Sequence, residues 1–236
     1  MFFQNNYAEP GPGVDPNAPE KTGIARFVEI LQLECAALFK LNLLFLVSCL
    51  PVVTIPPAIF AMNQVVRRMV LDRPVDCFYH YRLAFRSCWK QAYGAFFLTA
   101  LPLVTAGYGA AFYLRGAAGN FLLFPPFMLC STVFLMTLLA SSYLYGVLST
   151  GMGLREAVEL ALPLSLGRPA RAAAAAFFVY GSLVFALLAF PISLIYLLFI
   201  GFSIPCLLGN FVIRTVIRQF CPRSPAPDPG EVSEGD

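Results

Sequence analysis

Charged side chains are missing from long stretches of this chain. Between Lys40 and Arg67 lie 26 consecutive residues without Asp, Glu, Lys, Arg or His, and residues 91–114, 116–154 and 172–213 are equally free of them. A hydrocarbon layer about 30 Å thick is crossed by roughly 20 apolar residues in a helix rising 1.5 Å per residue. Each run is therefore long enough to cross a bilayer. The last, 42 residues, would measure about 63 Å as one straight helix, twice the membrane core. It reads instead as a helical hairpin turning at Pro191. Barrel strands would show alternating segments of about 10 residues. These runs are continuous, and a backbone in lipid must satisfy its own polar groups, so helices are selected. The pattern predicts an all-α, polytopic transmembrane bundle in one membrane domain over 23–221. Five spans are expected, at about 41–62, 93–114, 121–149, 172–190 and 193–213.

The segments between the runs are amphipathic. In 23–40, Ile24, Phe27, Val28, Leu31, Cys35, Leu38 and Phe39 recur at steps of three and four, while Arg26, Glu29 and Glu34 interrupt any span. This predicts a helix on the membrane surface or against the bundle. In 67–90, Pro74 opens a second such helix, with an apolar stripe of Phe78, Tyr81, Phe85, Cys88 or Trp89, and Ala92. Arg82, Arg86 and Lys90 form a basic stripe beside it, and Trp89, the only Trp, falls at the expected aromatic belt. Residues 150–171 read as a further surface helix. Within the first span, Pro51, Pro56 and Pro57 each remove a backbone donor. The helix should bend at Leu50–Pro51 and end or break near Ile55–Pro57, with Thr54 inside the break. In the third span, Ser142 and Gly146, four apart, offer another helix a close approach. The Pro- and Gly-rich segments 1–22 and 222–236 read as disordered tails.

Composition sharpens this picture. The chain is 58% hydrophobic and 12% charged, against about 25% charged in soluble domains. With residues 67–90 placed in the cytosol, twelve of the sixteen basic residues fall inside and Lys21, Arg26, Lys40 and Arg115 outside. The excess of cytoplasmic Lys and Arg then orients the N-terminus outward and the C-terminus inward. Merging 172–213 into one span would weaken the bias to nine against seven, so the charge rule also favours the hairpin. Seven scattered cysteines without a Cys-x-x-Cys pair indicate neither a disulfide framework nor a zinc site.

The span cores hold no ionisable residue. That argues against proton-coupled transport through a buried carboxylate and against membrane proteolysis or phosphotransfer, which need titratable groups. His80 stands alone, without partners at metal-ligand spacing, and Asp72 and Asp76 flank Pro74, where acids favour a helix start. No catalytic, cofactor or metal residue is expected. Hydroxyls in the spans are expected to bond their own backbone, and Asn42, Asn63 and Gln64 to face protein or the interface. The basic stripe with Trp89 suits anionic headgroups at about 1 kcal/mol per basic residue, or a cytosolic partner domain. It is too short and too close to the membrane to imply nucleic acid.

Residues 41–92 resemble the YesL-like family of bacterial integral membrane proteins. The likeness is carried by Leu41-Asn42-Leu43-Leu44-Phe45, Leu50-Pro51-Val52-Val53-Thr54-Ile55, Pro57-Ala58, Ala61, Val65-Val66-Arg67, Phe85-Arg86 and Trp89-Lys90-Gln91-Ala92. Weaker echoes lie at Tyr143-Leu144, Leu154-Arg155-Glu156-Ala157 and Gly201-Phe202-Ser203-Ile204-Pro205 with Asn210. Pro56 stands where the family usually has Gly, and Cys88 where it often has Asn. The resemblance implies a small helical protein of the bacterial plasma membrane. It further implies a non-enzymatic accessory to carbohydrate uptake or sensing, with a sugar transporter of the ATP-binding-cassette type or a sensor protein as partner. A facilitator or channel for small neutral solutes is the alternative.

Overall fold

The computed structural model describes residues 23–71, 75–117 and 121–220. The tails 1–22 and 222–236, Pro74 with its neighbours, and the turn at Gly119–Asn120 lie outside the described residues. Among the described residues the fold is all helix: α1 (Ile24–Leu33), α2 (Cys35–Cys49), α3 (Ile55–Val70), α4 (Cys77–Ser87), α5 (Trp89–Ala117), α6 (Phe124–Leu148), α7 (Leu154–Gly167), α8 (Pro169–Leu188), α9 (Ser193–Phe199) and α10 (Ser203–Phe220). Short 3-10 turns at Val52–Thr54 and Phe121–Leu123 precede α3 and α6. The expected polytopic helical bundle is what the chain forms. Three helical segments, Trp89–Gly116, Phe121–Leu148 and Pro169–Leu188, are long and apolar enough to cross a membrane. The count rises to five if each of two bent pairs, α1 with α2 (72°) and α9 with the following helix (62°), is one span.

The first expected span, 41–62, is not one helix. α2 ends at Cys49, Pro51 takes an extended conformation (φ −80°, ψ 117°), and α3 starts afresh at Ile55. Pro51 has no N–H for the ladder, whereas Pro56 and Pro57 sit in the first turn of α3, where the missing donors cost nothing. The Thr54 hydroxyl closes the break. It lies 2.6 Å from the Pro51 carbonyl and donates also to the Ser48 carbonyl, covering groups that the end of α2 leaves open. The tip is apolar and bare, with Leu50 80% and Val52 76% exposed. α2 and α3 fold back on each other, because the Cys77 thiol beyond α3 lies 3.5 Å from the Ala37 carbonyl near the start of α2.

The second correction concerns α4. Its buried positions are Cys77, Tyr81 and Ala84, packed on α2 and α3, while Phe78, expected in the apolar stripe, is 63% exposed. Asp76 caps the helix, its Oδ1 accepting from Phe78 N and Tyr79 N at 3.1 and 3.2 Å, so this acid shapes the helix start as expected. Third, the span expected at 193–213 is interrupted at residues 200–202 between α9 and α10, and the turn at Pro191 separates α8 from α9. Fourth, 23–40 is not one surface helix. It divides at Glu34 into α1 and the first part of α2.

Two packed regions result. One joins the start of α5, the inner half of α6, α7, the start of α8 and the end of α10, around Tyr143, Val147, Leu148, Ala157 and Val216. The other joins α1 to α4 with the start of α10, around Leu41, Val65, Val66, Tyr81 and Leu207. Gly146 allows α10 to close on α6, since a Cβ there would stand 2.7 Å from Ile213 Cδ1 and Ile217 Cδ1. Arg67, expected as a loop charge, lies on α3 and donates to the Gly146 carbonyl at 2.7 Å, tying α3 to the end of α6.

Candidate functional site

One side chain holds the α9–α10 break. Asn42, fully buried on α2, donates Nδ2 to the carbonyls of Leu197 and Leu198, both at 2.8 Å. Its Oδ1 accepts from Phe202 N (3.1 Å) and Ser203 N (3.3 Å). The carbonyls are the open end of α9 and the N–H groups the open start of α10, so one amide satisfies both ends of a broken helix. In a medium without water each such group left alone costs about 1–3 kcal/mol. Gly201 sits inside the break, where a Cβ would meet the Leu197 Cα at 2.6 Å. Asn42 thus joins two segments that carried the family resemblance, 41–45 and 201–205.

A second amide pair lies beside it. Asn210 Nδ2 donates to Asn63 Oδ1 and to the Cys206 carbonyl, each at 3.0 Å, and Asn63 Nδ2 donates to the Ile59 carbonyl at 2.9 Å. Both asparagines face a cavity of about 500 Å³ enclosed by α2, α3, α5, α6, α8, α9 and α10. Its walls are mainly apolar, from Phe45, Ile59, Phe96, Leu103, Val179 and Leu183 among others. Its polar groups are Asn63, Thr99, Ser141, Ser142, Tyr145, Tyr180, Ser182 and Asn210, and among the described residues no Asp, Glu, His, Lys or Arg lines it.

The hydroxyl hydrogens on these walls are committed to protein. Thr99 donates to Ala95 O (2.9 Å), Ser141 to Leu138 O (2.8 Å) and Ser182 to Gly201 O (3.2 Å). The Tyr145 and Thr99 hydroxyls lie 3.4 Å apart and those of Tyr180 and Ser141 2.7 Å apart, each pair sharing a hydrogen bond. Sequence reasoning placed the hydroxyls in spans but not on one cavity. Their convergence arises from helix pairs far apart in sequence, which spacing does not encode.

The residues singled out from sequence separate into two places. Arg82, Arg86, Trp89 and Lys90 all lie exposed along α4 and the start of α5, away from the cavity. The break residues Pro51, Thr54, Pro56 and Pro57 lie at the α2–α3 tip, which the Tyr93 hydroxyl ties to α5 by donating to the Val53 carbonyl. His80 Nδ1 lies 2.8 Å from the Asp76 carbonyl at the start of its own helix. On the same helix burial pushes the Cys77 thiol up to about 11, with the charges of Glu34 and Asp76 adding to it. Among the described residues no group of three His, Cys, Asp or Glu side chains could hold a metal ion.

A family model described as a protein of unknown function, DUF624, matches residues 38–109. That segment runs from α2 through most of α5. It covers the stretch 41–92 and is consistent with the resemblance read there. No curated protein and no solved structure matches the chain. The matched segment holds Asn42 and Asn63, while their partners on α9 and α10 lie beyond it.

Proposed function

We propose that this chain is a non-enzymatic, multi-pass protein of the bacterial plasma membrane that serves as an accessory or regulatory component of carbohydrate uptake or sensing. The observation that carries the reading is the outer face of α4. The helix is fixed on one side by Cys77, Tyr81 and Ala84 and offers Tyr79, Arg82, Leu83 and Arg86 on the other, with Trp89 and Lys90 exposed just beyond it at the start of α5. A rigid face mixing cations and aromatics suits a partner domain or headgroup layer at the cytoplasmic surface. The carbohydrate assignment rests on the family resemblance, and a transporter of the ATP-binding-cassette type or a sensor protein is the partner it suggests.

The converging hydroxyls favour one competing reading, a facilitator for small neutral solutes. Apolar walls and spent donors argue against a water-filled path. Affinity purification from membranes in mild detergent separates the two. Co-recovery of a transporter or sensor, lost on combining Arg82→Glu, Arg86→Glu and Lys90→Glu, supports the accessory role. Isolation of the chain alone, together with solute flux in liposomes, overturns it.

The orientation proposed here differs from the one charge counting suggested. α2 has 15 residues, about 22 Å of helix against a core of about 30 Å, and α3 returns to the level where α2 begins. Read as a re-entrant hairpin, α2–α3 leaves the N-terminus on the cytoplasmic side. Every Lys and Arg except Arg115 then falls inside, a stronger bias than twelve against four. Cys35 is exposed at the start of α2, so an impermeant maleimide at neutral pH should label it in inside-out vesicles. Labelling in right-side-out vesicles would restore the outward N-terminus. Cys77, buried and with a raised pKa, should stay unlabelled until pH approaches 11, because only the thiolate reacts.

A further inference from the structure

We propose that the cavity holds a neutral, hydroxyl-bearing membrane amphiphile, with the chemistry of a diacylglycerol, admitted sideways from the bilayer. Its volume of about 500 Å³ falls within the roughly 300–1,000 Å³ of small-molecule sites. It takes a head and the first part of a chain, with the remainder left in lipid.

Three observations identify the occupant. The first is charge. With no Asp, Glu, His, Lys or Arg on the walls among the described residues, a charged head would be desolvated without a partner, which costs far more than a hydrogen bond returns. The head is therefore uncharged. The second is hydrogen-bond polarity. Both Nδ2 hydrogens of Asn210 are used, on Asn63 and on Cys206, while its Oδ1 takes no protein donor and the residue is only 8% exposed. Beside this buried acceptor stand the hydroxyl pairs Tyr145–Thr99 and Tyr180–Ser141, each pair bonded within itself. The Asn210 acceptor repels an anion and selects a ligand that donates, and a hydroxyl does so. The third is access. Val179 and Leu183 line the cavity and are still 41% and 47% exposed. Phe97 and Leu101 on α5 and Val184 and Leu187 on α8 are exposed as well, as side chains in contact with lipid are. α5 and α8 both bound the cavity without packing closely on each other. A ligand reaches it from the acyl chains rather than from water. A sugar, whose many hydroxyls need donors as well as acceptors around them, matches neither the walls nor the route.

The full chain in phosphatidylcholine nanodiscs, titrated with a photoactivatable diacylglycerol and with the phosphatidic acid of identical chains, tests this. The expected result is saturable labelling of cavity-wall peptides by the diacylglycerol and competition by unlabelled diacylglycerol, with the phosphatidic acid confined to outer faces. Asn210→Leu should weaken the saturable labelling about tenfold, as expected for one hydrogen bond lost in a dry site. Asn210 also bonds Asn63 and Cys206, so Ala100→Phe provides an independent variant. It fills the cavity from the α5 wall, removes no polar group and should abolish the saturable component. Equal labelling by both lipids, or saturable labelling that survives Ala100→Phe in a protein of unchanged helix content, would overturn the proposal.

Discussion

The α5–α6 hairpin and the broken pair formed by α2–α3 and α9–α10 solve the same problem in opposite ways. Both sit among apolar surroundings and must satisfy every backbone group. In α5 and α6 the ladder runs almost unbroken, and hydroxyls turn back on their own helix. Thr105 donates to Leu101 O, Thr132 to Met128 O and Thr137 to Val133 O, each at 2.8 Å. Small residues set the contact between the helices, with Gly107 against Phe134 and Gly109 against Cys130. In the broken pair the ladder stops twice, and side chains replace it: Thr54 at the first break and Asn42 at the second. These three threonines act within four residues, whereas Asn42 acts across more than 150. A hydroxyl in a continuous membrane helix is therefore nearly neutral, and an amide at a break is structural.

The largest expected effect follows directly. Asn42→Leu leaves two carbonyls and two N–H groups without partners. At about 1–3 kcal/mol each, the loss should be about 4 kcal/mol or more. Reversible unfolding in mixed micelles measures it. A loss below about 1 kcal/mol would mean that the break is held by packing and that the contrast drawn above fails. Asn42→Asp sharpens the comparison, because it keeps the acceptor for Phe202 and Ser203 while removing the donors to Leu197 and Leu198.

Gly201→Ala comes next. The added methyl meets the Leu197 Cα at 2.6 Å and N at 3.1 Å, backbone atoms that cannot swing away as its Cδ2 at 2.9 Å can. Relief requires the break itself to move, at about 1–3 kcal/mol. By contrast, a Cβ at Gly146 meets only the Cδ1 ends of Ile213 and Ile217. Gly146→Ala should therefore cost less than Gly201→Ala in the same assay, and the reverse order would shift the sensitive contact to the α6–α10 face.

Much of this architecture was legible in residue order, and the reason is the solvent. Lipid forbids charge over a span, so the spans expected at 93–114, 121–149 and 172–190 within the charge-free runs mark α5, α6 and α8 to within a few residues of their observed ends. Proline marked the first break, since Pro51 cannot donate and Pro56 with Pro57 can only start a helix. The second break was not legible. Ile200-Gly201-Phe202 carries no proline, and its stability comes from Asn42, which is remote in sequence. On α4 the expected stripe holds at Tyr81, and Phe85 is half-buried, but it fails at Phe78, in whose place Cys77 and Ala84 pack. Small residues on the buried side let α4 approach α2 and α3, and hydropathy alone favours the larger ring. The cavity stayed hidden because its walls come from helix pairs whose packing only tertiary structure supplies.

Between the two regions lies the Asn63–Asn210 pair, an amide contact between two continuous helices. It tests whether an amide matters by being at a break or by being an amide. A double-mutant cycle with Asn63→Leu and Asn210→Leu should return a coupling of about 1 kcal/mol, near the average for polar contacts between membrane helices. A coupling equal to the Asn42 loss would remove the special status of the break.

The smallest effect is the most demanding check. Thr132→Val in α6 removes a hydroxyl that bonds only Met128 O, and that carbonyl keeps its ladder position in a continuous helix. Valine has the same shape and leaves no donor or acceptor stranded, so the change should fall within about 0.5 kcal/mol of zero. A measured loss above about 1 kcal/mol would mean that the Thr132 hydroxyl has a partner outside its own helix. Thr132 and Thr137 face a smaller cleft shared with Leu98, Val158 and Leu162, so that outcome would point to a bound molecule there. The near-zero result is what a back-bonded hydroxyl facing lipid requires, and it is the value against which the Asn42 loss acquires its meaning.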